Sequence, residues 1–268
     1  MYIGKHHDGF AYAVNTIFKE SGCQSFPDPD FYSYRLTTFL YHPCNLQWFQ
    51  PMLNWNDYMN HLIENTGIIG NYILKPVSKE LLQELPIETL FLLGEASVPN
   101  WDITPINKIC NQHQVFLVCK KKAGFFLINN PLGCISMQCS LDQLILLSVP
   151  NRSFIFSLEK TVHFTHISSK YLLNKICPFI KQNSLAVQID KEPILPDRAK
   201  NKIAFQYGLI RYVQSRIRFS DFFLLNKAVK YAFGQIRIGN EYMILPDIIN
   251  AENIFINEIE HICKKKEG

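Results

Sequence analysis

The sequence lacks the features that usually mark membrane, secreted and zinc-binding proteins. No stretch reaches eighteen uninterrupted apolar residues, and His and Asp interrupt residues 1–21, where a signal peptide needs an apolar core. None of the eight cysteines forms a Cys-x-x-Cys pair, and Cys134 and Cys139 have no histidine motif beside them. We therefore expect reduced thiols, no bound metal and a soluble, cytoplasmic protein.

A strong net charge is also absent. The formal charge is +4, and the densest basic runs, at residues 120–122 and 264–266, fall at a turn and at the C-terminal end of the sequence. Short runs of this kind are usually solvated. Neither nucleic acid nor a membrane is therefore expected as a partner. With 47% hydrophobic and 13% aromatic residues, the chain has enough apolar side chains for one large domain, or for one domain with a helical appendix.

What the sequence does contain is a pattern typical of a β-hairpin. A strand opens at His113, a tight turn falls at Ala123-Gly124, and a return strand ends on Asn-Pro. We expect the hairpin to bring His113 beside Asn129 or Asn130. In a Cys-His-Asn site, one ring nitrogen takes the thiol proton while a fixed acceptor holds the other. A histidine that merely begins a surface strand is the alternative.

An amphipathic helix is predicted near the start of the chain. Apolar residues recur with helical spacing at 10, 13, 14, 17 and 18, Asp8 is placed as an N-cap, and Gly22 is placed as a C-cap. The start of such a helix stabilises a thiolate through its dipole and its unpaired amides. An early helix, followed about a hundred residues later by a hairpin carrying His and Asn, is the order of parts in papain-like proteins.

Residues 7–22 and 113–147 resemble the N-terminal domain of the butirosin biosynthesis protein H type and, more distantly, the bacteriocin-processing cysteine peptidases. In both groups a helix starts with a cysteine, and the later strands read His-x-Val-x-Val, a glycine turn and an apolar run into Asp-Pro. Here Asn130-Pro131 stands in place of Asp-Pro, and residues 140–144 look like the short helix that follows. The resemblance implies an α+β fold, with a papain-like domain and its antiparallel sheet over residues 1–150 and a mainly helical accessory region over 151–268.

The resemblance also implies a site that lacks its nucleophile. Gly9 occupies the cysteine position, His113 would be the base, and Asn130 or Asn129 would orient its ring. The implied substrate-binding residues are Asp8 and Phe10, which flank Gly9, and Trp101.

No other residue is an obvious replacement for the missing thiol. A carboxylate nucleophile at Asp8 would be a different chemistry. Cys23 follows the helix and lies roughly 20 Å from its start. Cys44 and Cys134 are further candidates, although a buried structural thiol describes a single cysteine better. A natural loss of the cysteine and an engineered replacement would give the same sequence.

Two functions follow from the resemblance. One is an acyl- or amide-transferase of natural-product biosynthesis, which would move an acyl group from a carrier protein or another thioester to an amine or peptide, and which lacks its nucleophile as written. The other is a silent relative that binds a peptide, a carrier or a small molecule in the same cleft, as a partner of an active paralogue. No cofactor is implied, and the sequence does not indicate an oligomeric state.

The C-terminal region offers a possible surface for a carrier protein. Tyr207, Arg211, Arg216 and Arg218 are predicted to decorate a helix. Arg211 and Arg218 are seven residues apart and share a face, which an acidic carrier would suit. An ordinary solvated helix face is the alternative.

Overall fold

The computed structural model describes residues 9–22, 28–42, 49–51, 53–97, 114–130, 135–159, 162–165, 167–191, 202–236 and 241–264. In chain order, its helices are α1 (Gly9–Glu20), α2 (Pro29–Tyr32), α3 (Trp55–Thr66), α4 (Lys79–Glu84), α5 (Leu141–Leu147), α6 (Ser169–Gln182), α7 (Leu185–Lys191), α8 (Lys202–Phe222), α9 (Lys227–Gly234) and α10 (Glu241–Lys264). Its strands are β1 (Phe39–Tyr41), β2 (Phe49–Pro51), β3 (Ile68–Ile69), β4 (Tyr72–Pro76), β5 (Leu90–Ser97), β6 (Gln114–Lys122), β7 (Phe125–Asn130), β8 (Ile135–Cys139), β9 (Phe154–Leu158) and β10 (His163–Phe164).

The chain forms two compact units that interleave in sequence. Unit 1 comprises Met1–Pro29 and Thr66–Thr165, and unit 2 comprises Asp30–Asn65 and His166–Gly268. The sequence prediction instead divides the chain once, at residue 150. In the structure, residues 30–65 belong with the C-terminal half, whereas β9 and β10 belong with the N-terminal half. The mixed content of helices and antiparallel strands agrees with the predicted α+β class.

Unit 1 is built on an antiparallel sheet that, among the described residues, has six strands in the order β4-β9-β5-β6-β7-β8. The predicted hairpin is confirmed, since β6 and β7 pair with Lys122 opposite Phe125 across the turn. Gly124 adopts a φ of 85° there, a left-handed conformation that costs glycine little. The predicted helix after the hairpin is also confirmed as α5. It begins with a complete capping box between Ser140 and Gln143.

Helices cover both faces of this sheet. α1 packs on β5, β6 and β9. The opposite face carries an apolar cluster in which α4 supplies Leu82 and α5 supplies Leu144. All five residues of β9 are buried. β9 lies between β4 and β5, so it has a neighbouring strand on each side and apolar contacts on both faces.

One close approach within the sheet depends on glycine. A Cβ atom added at Gly94 would lie 2.2 Å from the ring of Phe154 on the neighbouring strand. Any larger residue at this position would displace that ring or the strand that carries it. The absence of a side chain at Gly94 therefore leaves room for the ring of the buried Phe154.

Unit 2 consists of the β1–β2 pair and the helices α2, α3 and α6–α10. α6 runs through Pro178. α10 begins at Glu241 and contains Pro246. Aromatic rings fill the interior of this unit: Phe39, Phe49, Phe205, Tyr212, Phe233 and Phe255 are all buried. Tyr212 stacks on Phe49 with ring centroids 5.5 Å apart.

Candidate functional site

Several elements of unit 1 meet at one end of the sheet. Because β5 to β8 are antiparallel, the end of β5, the start of β6, the end of β7 and the start of β8 lie together. α1 starts over this end: Phe10 packs edge-to-face on Phe116, the third residue of β6, with centroids 5.4 Å apart. Further along α1, Phe18 lies 6.0 Å from Phe156 of β9. The first turn of α1 therefore lies near the point where the chain enters β6.

The structure describes only some of the predicted site residues. Gly9 is the first residue of α1 and is buried. Phe10 is fully buried and anchors the helix to the sheet. A contact of Phe10 with substrate stays a prediction. Asp8, Trp101, His113 and the candidate cysteines Cys23, Cys44 and Cys134 lie outside the described residues.

Asn129 lies on the face of the sheet that α1 uses. Asn129 pairs with Val118 of the neighbouring strand, and the side chains of Val118 and Phe116 point to the same face of the sheet. Asn129 is exposed. Asn130 is the last residue of β7 and pairs with Ile135. Val118, the cross-strand partner of Asn129, thus follows His113 by five positions in the sequence. The predicted contact of either asparagine with the histidine ring stays a prediction.

Sequence reasoning missed Glu95, a buried carboxylate on a strained stretch of backbone near the same end of the sheet. Glu95 lies in a bulge of β5, with φ at 57°, and is 5% exposed. Its two oxygens accept hydrogen bonds from Nε and Nη2 of Arg152 at 3.0 and 3.3 Å. The Ser153 hydroxyl donates to the Glu95 carbonyl oxygen at 2.9 Å. Bulges and left-handed non-glycine residues recur beside functional sites, but no local sequence signal announces this one.

The described cysteines of unit 1 are poor replacements for a nucleophile at residue 9. Cys119 and Cys139 both belong to the apolar cluster on the face of the sheet opposite α1. Burial raises the pKa of Cys119 well above its ordinary value and raises the pKa of Cys139 to about 11. Both thiols therefore remain protonated near neutral pH and are shielded from reagents.

The predicted basic surface of α8 is wrong at one position. Arg216 is 1% exposed and donates from Nε to Oε1 of Glu252 at 2.6 Å and from Nη1 to the Thr37 carbonyl oxygen at 2.6 Å. Arg218 is partly exposed and donates to Oδ2 of Asp30 at 3.2 Å. One of the two arginines assigned to a carrier surface thus has an acidic partner within unit 2. Arg216 was misread because Glu252 is distant in sequence.

Other common kinds of site are not found in the described part of the chain. No group of three or more His, Cys, Asp and Glu side chains there could hold a metal ion. None of the described helices combines the length and the apolar composition needed to cross a bilayer. An open groove between α9 and α10 is lined by Lys227, Tyr231, Gln235, Asp247 and Asn250 among others. These lining residues are mostly exposed. The end of the unit 1 sheet remains the candidate site.

Comparisons with models of known protein families, with curated proteins and with solved structures found no match to this chain. The resemblance to papain-like proteins therefore rests on the residues of the chain alone.

Proposed function

We propose that unit 1 is a papain-like domain of the butirosin H type in which Gly9 has replaced the catalytic cysteine. In this proposal the protein binds an acyl thioester, or the amine or peptide that would receive the acyl group, at the end of the sheet where α1 and β6 begin. It acts as a binding protein in the cytoplasm and does not transfer the acyl group itself.

The observation that carries the proposal is the contact between Phe10 and Phe116. Residue 9 directly precedes Phe10, and residue 113 precedes Phe116 by three positions, so the ring contact at 5.4 Å favours a short distance between the two ends. A papain-like site needs the start of a helix close to a histidine. The exposed Asn129, on the same face of the sheet, is consistent with an amide near such a site.

Binding is favoured over catalysis because the described residues supply no nucleophile at this position. Glycine has no side chain, and Cys119 and Cys139 lie on the other face of the sheet with raised pKa values. The Glu95 carboxylate is already paired with Arg152. In the proposal, His113 as a base and an orienting asparagine, without a thiol, position a thioester or an amine without forming an acyl-enzyme.

Restoring the thiol tests whether the site is otherwise assembled. We expect the thiol introduced by Gly9→Cys to react with iodoacetamide at pH 6 about 10–100-fold faster than an ordinary thiol, because a helix start and a neighbouring histidine lower a cysteine pKa. The rate is followed by peptide mass mapping of residue 9. The matched control is Tyr12→Cys, at an exposed position of the same helix. His113→Ala added to Gly9→Cys should abolish the advantage.

The acyl-donor arm uses S-acetyl-N-acetylcysteamine, a small thioester. Gly9→Cys should gain one acetyl group at residue 9, and calorimetric titration of the unsubstituted protein should detect binding of the same thioester. Equal labelling rates at residues 9 and 12, unaffected by His113→Ala, would contradict the papain-like assignment. Fast labelling without binding of the thioester would leave the site intact and reject the acyl donor as its ligand.

A further inference from the structure

Two cysteines of unit 2 meet across a helix interface. Cys177 on α6 and Cys263 on α10 are both free, and a side-chain hydrogen bond with Cys263 contributes to the raised pKa of Cys177. Cys177 is 7% exposed, whereas Cys263 is partly exposed near the end of α10. The pair is distant in sequence, and the packing of α6 against α10 brings it together.

A salt bridge one helical turn away fixes the register of this interface. Lys181 follows Cys177 by four residues on α6, and Glu260 precedes Cys263 by three residues on α10. The Lys181 ammonium lies 2.7 Å from Oε1 of Glu260. Residue 177 lies opposite residue 263, and residue 181 lies opposite residue 260, so the numbering rises along α6 while it falls along α10. The two helices therefore run antiparallel here, and residues 177 and 181 share one face of α6.

We propose that Cys177 and Cys263 form a reversible disulfide with each other, by exchange with a low-molecular-weight disulfide such as oxidised glutathione. The product would link α6 to the C-terminal turn of α10. This inference concerns unit 2 and does not depend on the function proposed for unit 1.

The exchange takes place in two balanced steps. The Cys263 thiolate attacks one sulfur of oxidised glutathione, the glutathione S–S bond breaks, and one glutathione thiolate leaves. Cys177 then loses its proton and attacks the Cys263 sulfur, and the mixed disulfide breaks to release the second glutathione. The two protein thiols are oxidised, and one glutathione disulfide is reduced to two thiols.

The environments of the two thiols assign this order of attack. Cys263 is the more accessible of the two, so it meets the reagent first. Burial and the hydrogen bond with Cys263 raise the pKa of Cys177 to about 11, while the nearby Lys181 ammonium acts to lower it. A shielded thiol of this kind is a poor first attacker but is well placed to resolve a mixed disulfide on its neighbour.

The test is oxidation of the full chain in glutathione buffers of graded redox potential, followed by alkylation and non-reducing peptide mass mapping. We expect a linked pair of peptides containing residues 177 and 263, a protein mass lower by two hydrogens, and a higher urea midpoint after oxidation. Cys177→Ser should instead accumulate one glutathione on Cys263. Cys139→Ser, which removes a thiol from unit 1, should leave the 177–263 link unchanged.

Two results would overturn the proposal, and both are obtained with the unsubstituted protein. One is stable glutathionylation of Cys263 in the unsubstituted protein without formation of the link. The other is that Cys177 and Cys263 both remain reduced, and are therefore alkylated, at redox potentials at which other cysteines of the protein are already oxidised.

Discussion

Replacing Glu252 with alanine should lower the free energy of unfolding of unit 2 by about 3–5 kcal/mol. Glu252 is fully buried, and its Oε1 atom accepts hydrogen bonds from Nε of Arg216 and from the hydroxyl of Tyr212. Its loss would leave the Arg216 guanidinium charged in an apolar interior. Burial acts most strongly, to lower the pKa of Arg216, but the Glu252 carboxylate and Tyr212 together raise that pKa above its ordinary value.

The surroundings of Arg216 explain why the cost should be high. The guanidinium carbon lies 4.6, 5.3 and 5.6 Å from the ring centroids of Phe255, Tyr212 and Phe39. These rings attract a cation but cannot balance its charge. The Thr37 carbonyl oxygen accepts one hydrogen bond, but it is neutral. Glu252 is therefore the anionic partner of Arg216 in this buried network.

Urea unfolding followed by circular dichroism measures the loss, and hydrogen exchange in α8 and α10 assigns it to unit 2. The control is Lys230→Ala, which removes a partly exposed ion pair with Asp221 and should cost at most about 1 kcal/mol. The double variant Arg216→Met/Glu252→Leu should be more stable than Glu252→Ala, because it leaves no buried charge. A Glu252→Ala variant as stable as the Lys230→Ala control would contradict a charged, buried pair.

The second large effect is loss of stability of unit 2 at alkaline pH. Burial raises the pKa of Tyr58 to about 12, and burial, followed by the Glu252 carboxylate, raises the pKa of Tyr212 well above its ordinary value. A group whose pKa is higher in the folded than in the unfolded state makes its full contribution to stability at pH values below the unfolded pKa. That contribution is lost as the pH rises through the folded pKa. For these tyrosines the loss begins near pH 10 and continues to about pH 12 or beyond.

The contribution of Tyr58 can be isolated by substitution. Tyr58→Phe should reduce the fall in unfolding free energy between pH 9 and pH 12 by about 2–3 kcal/mol. It also removes the hydrogen bond that the Tyr58 oxygen accepts from the Leu53 amide at 2.9 Å, so the slope with pH is informative and the absolute stability is not. Tyr231→Phe, at a position that is 69% exposed, should leave the slope unchanged. An unchanged slope in Tyr58→Phe would contradict the raised pKa.

The sequence predicted the elements of unit 1 that local chemistry determines. The turn at Gly124 and the cap at Ser140 each depend on a few adjacent residues, and the structure confirms the hairpin and the helix that they define. Pro246 is a residue type typical of a helix boundary, but α10 runs through it.

Features that depend on long-range packing were not predictable from one sequence. Residues 30–65 join the C-terminal half of the chain through tertiary contacts, such as the hydrogen bond from Arg216 to Thr37, that no local pattern encodes. The bulge at Glu95 places a carboxylate in a conformation that most residue types avoid. Of the candidate site, the sequence predicted the helix that starts at Gly9 and the strand that carries Asn129, but not Glu95 with its partner Arg152.

The distance between residues 9 and 113 is the most direct test of the proposed site. The measurement is cross-linking of a Gly9→Cys/His113→Cys double variant with a short bifunctional thiol reagent, mapped by mass spectrometry, with Tyr12→Cys/His113→Cys as the control. The proposal predicts rapid linkage of residues 9 and 113 and little linkage in the control. Regular alternation of β6 extended back to residue 113 would turn that side chain away from α1. Linkage of residues 9 and 113 that is no faster than linkage in the control would contradict the papain-like site.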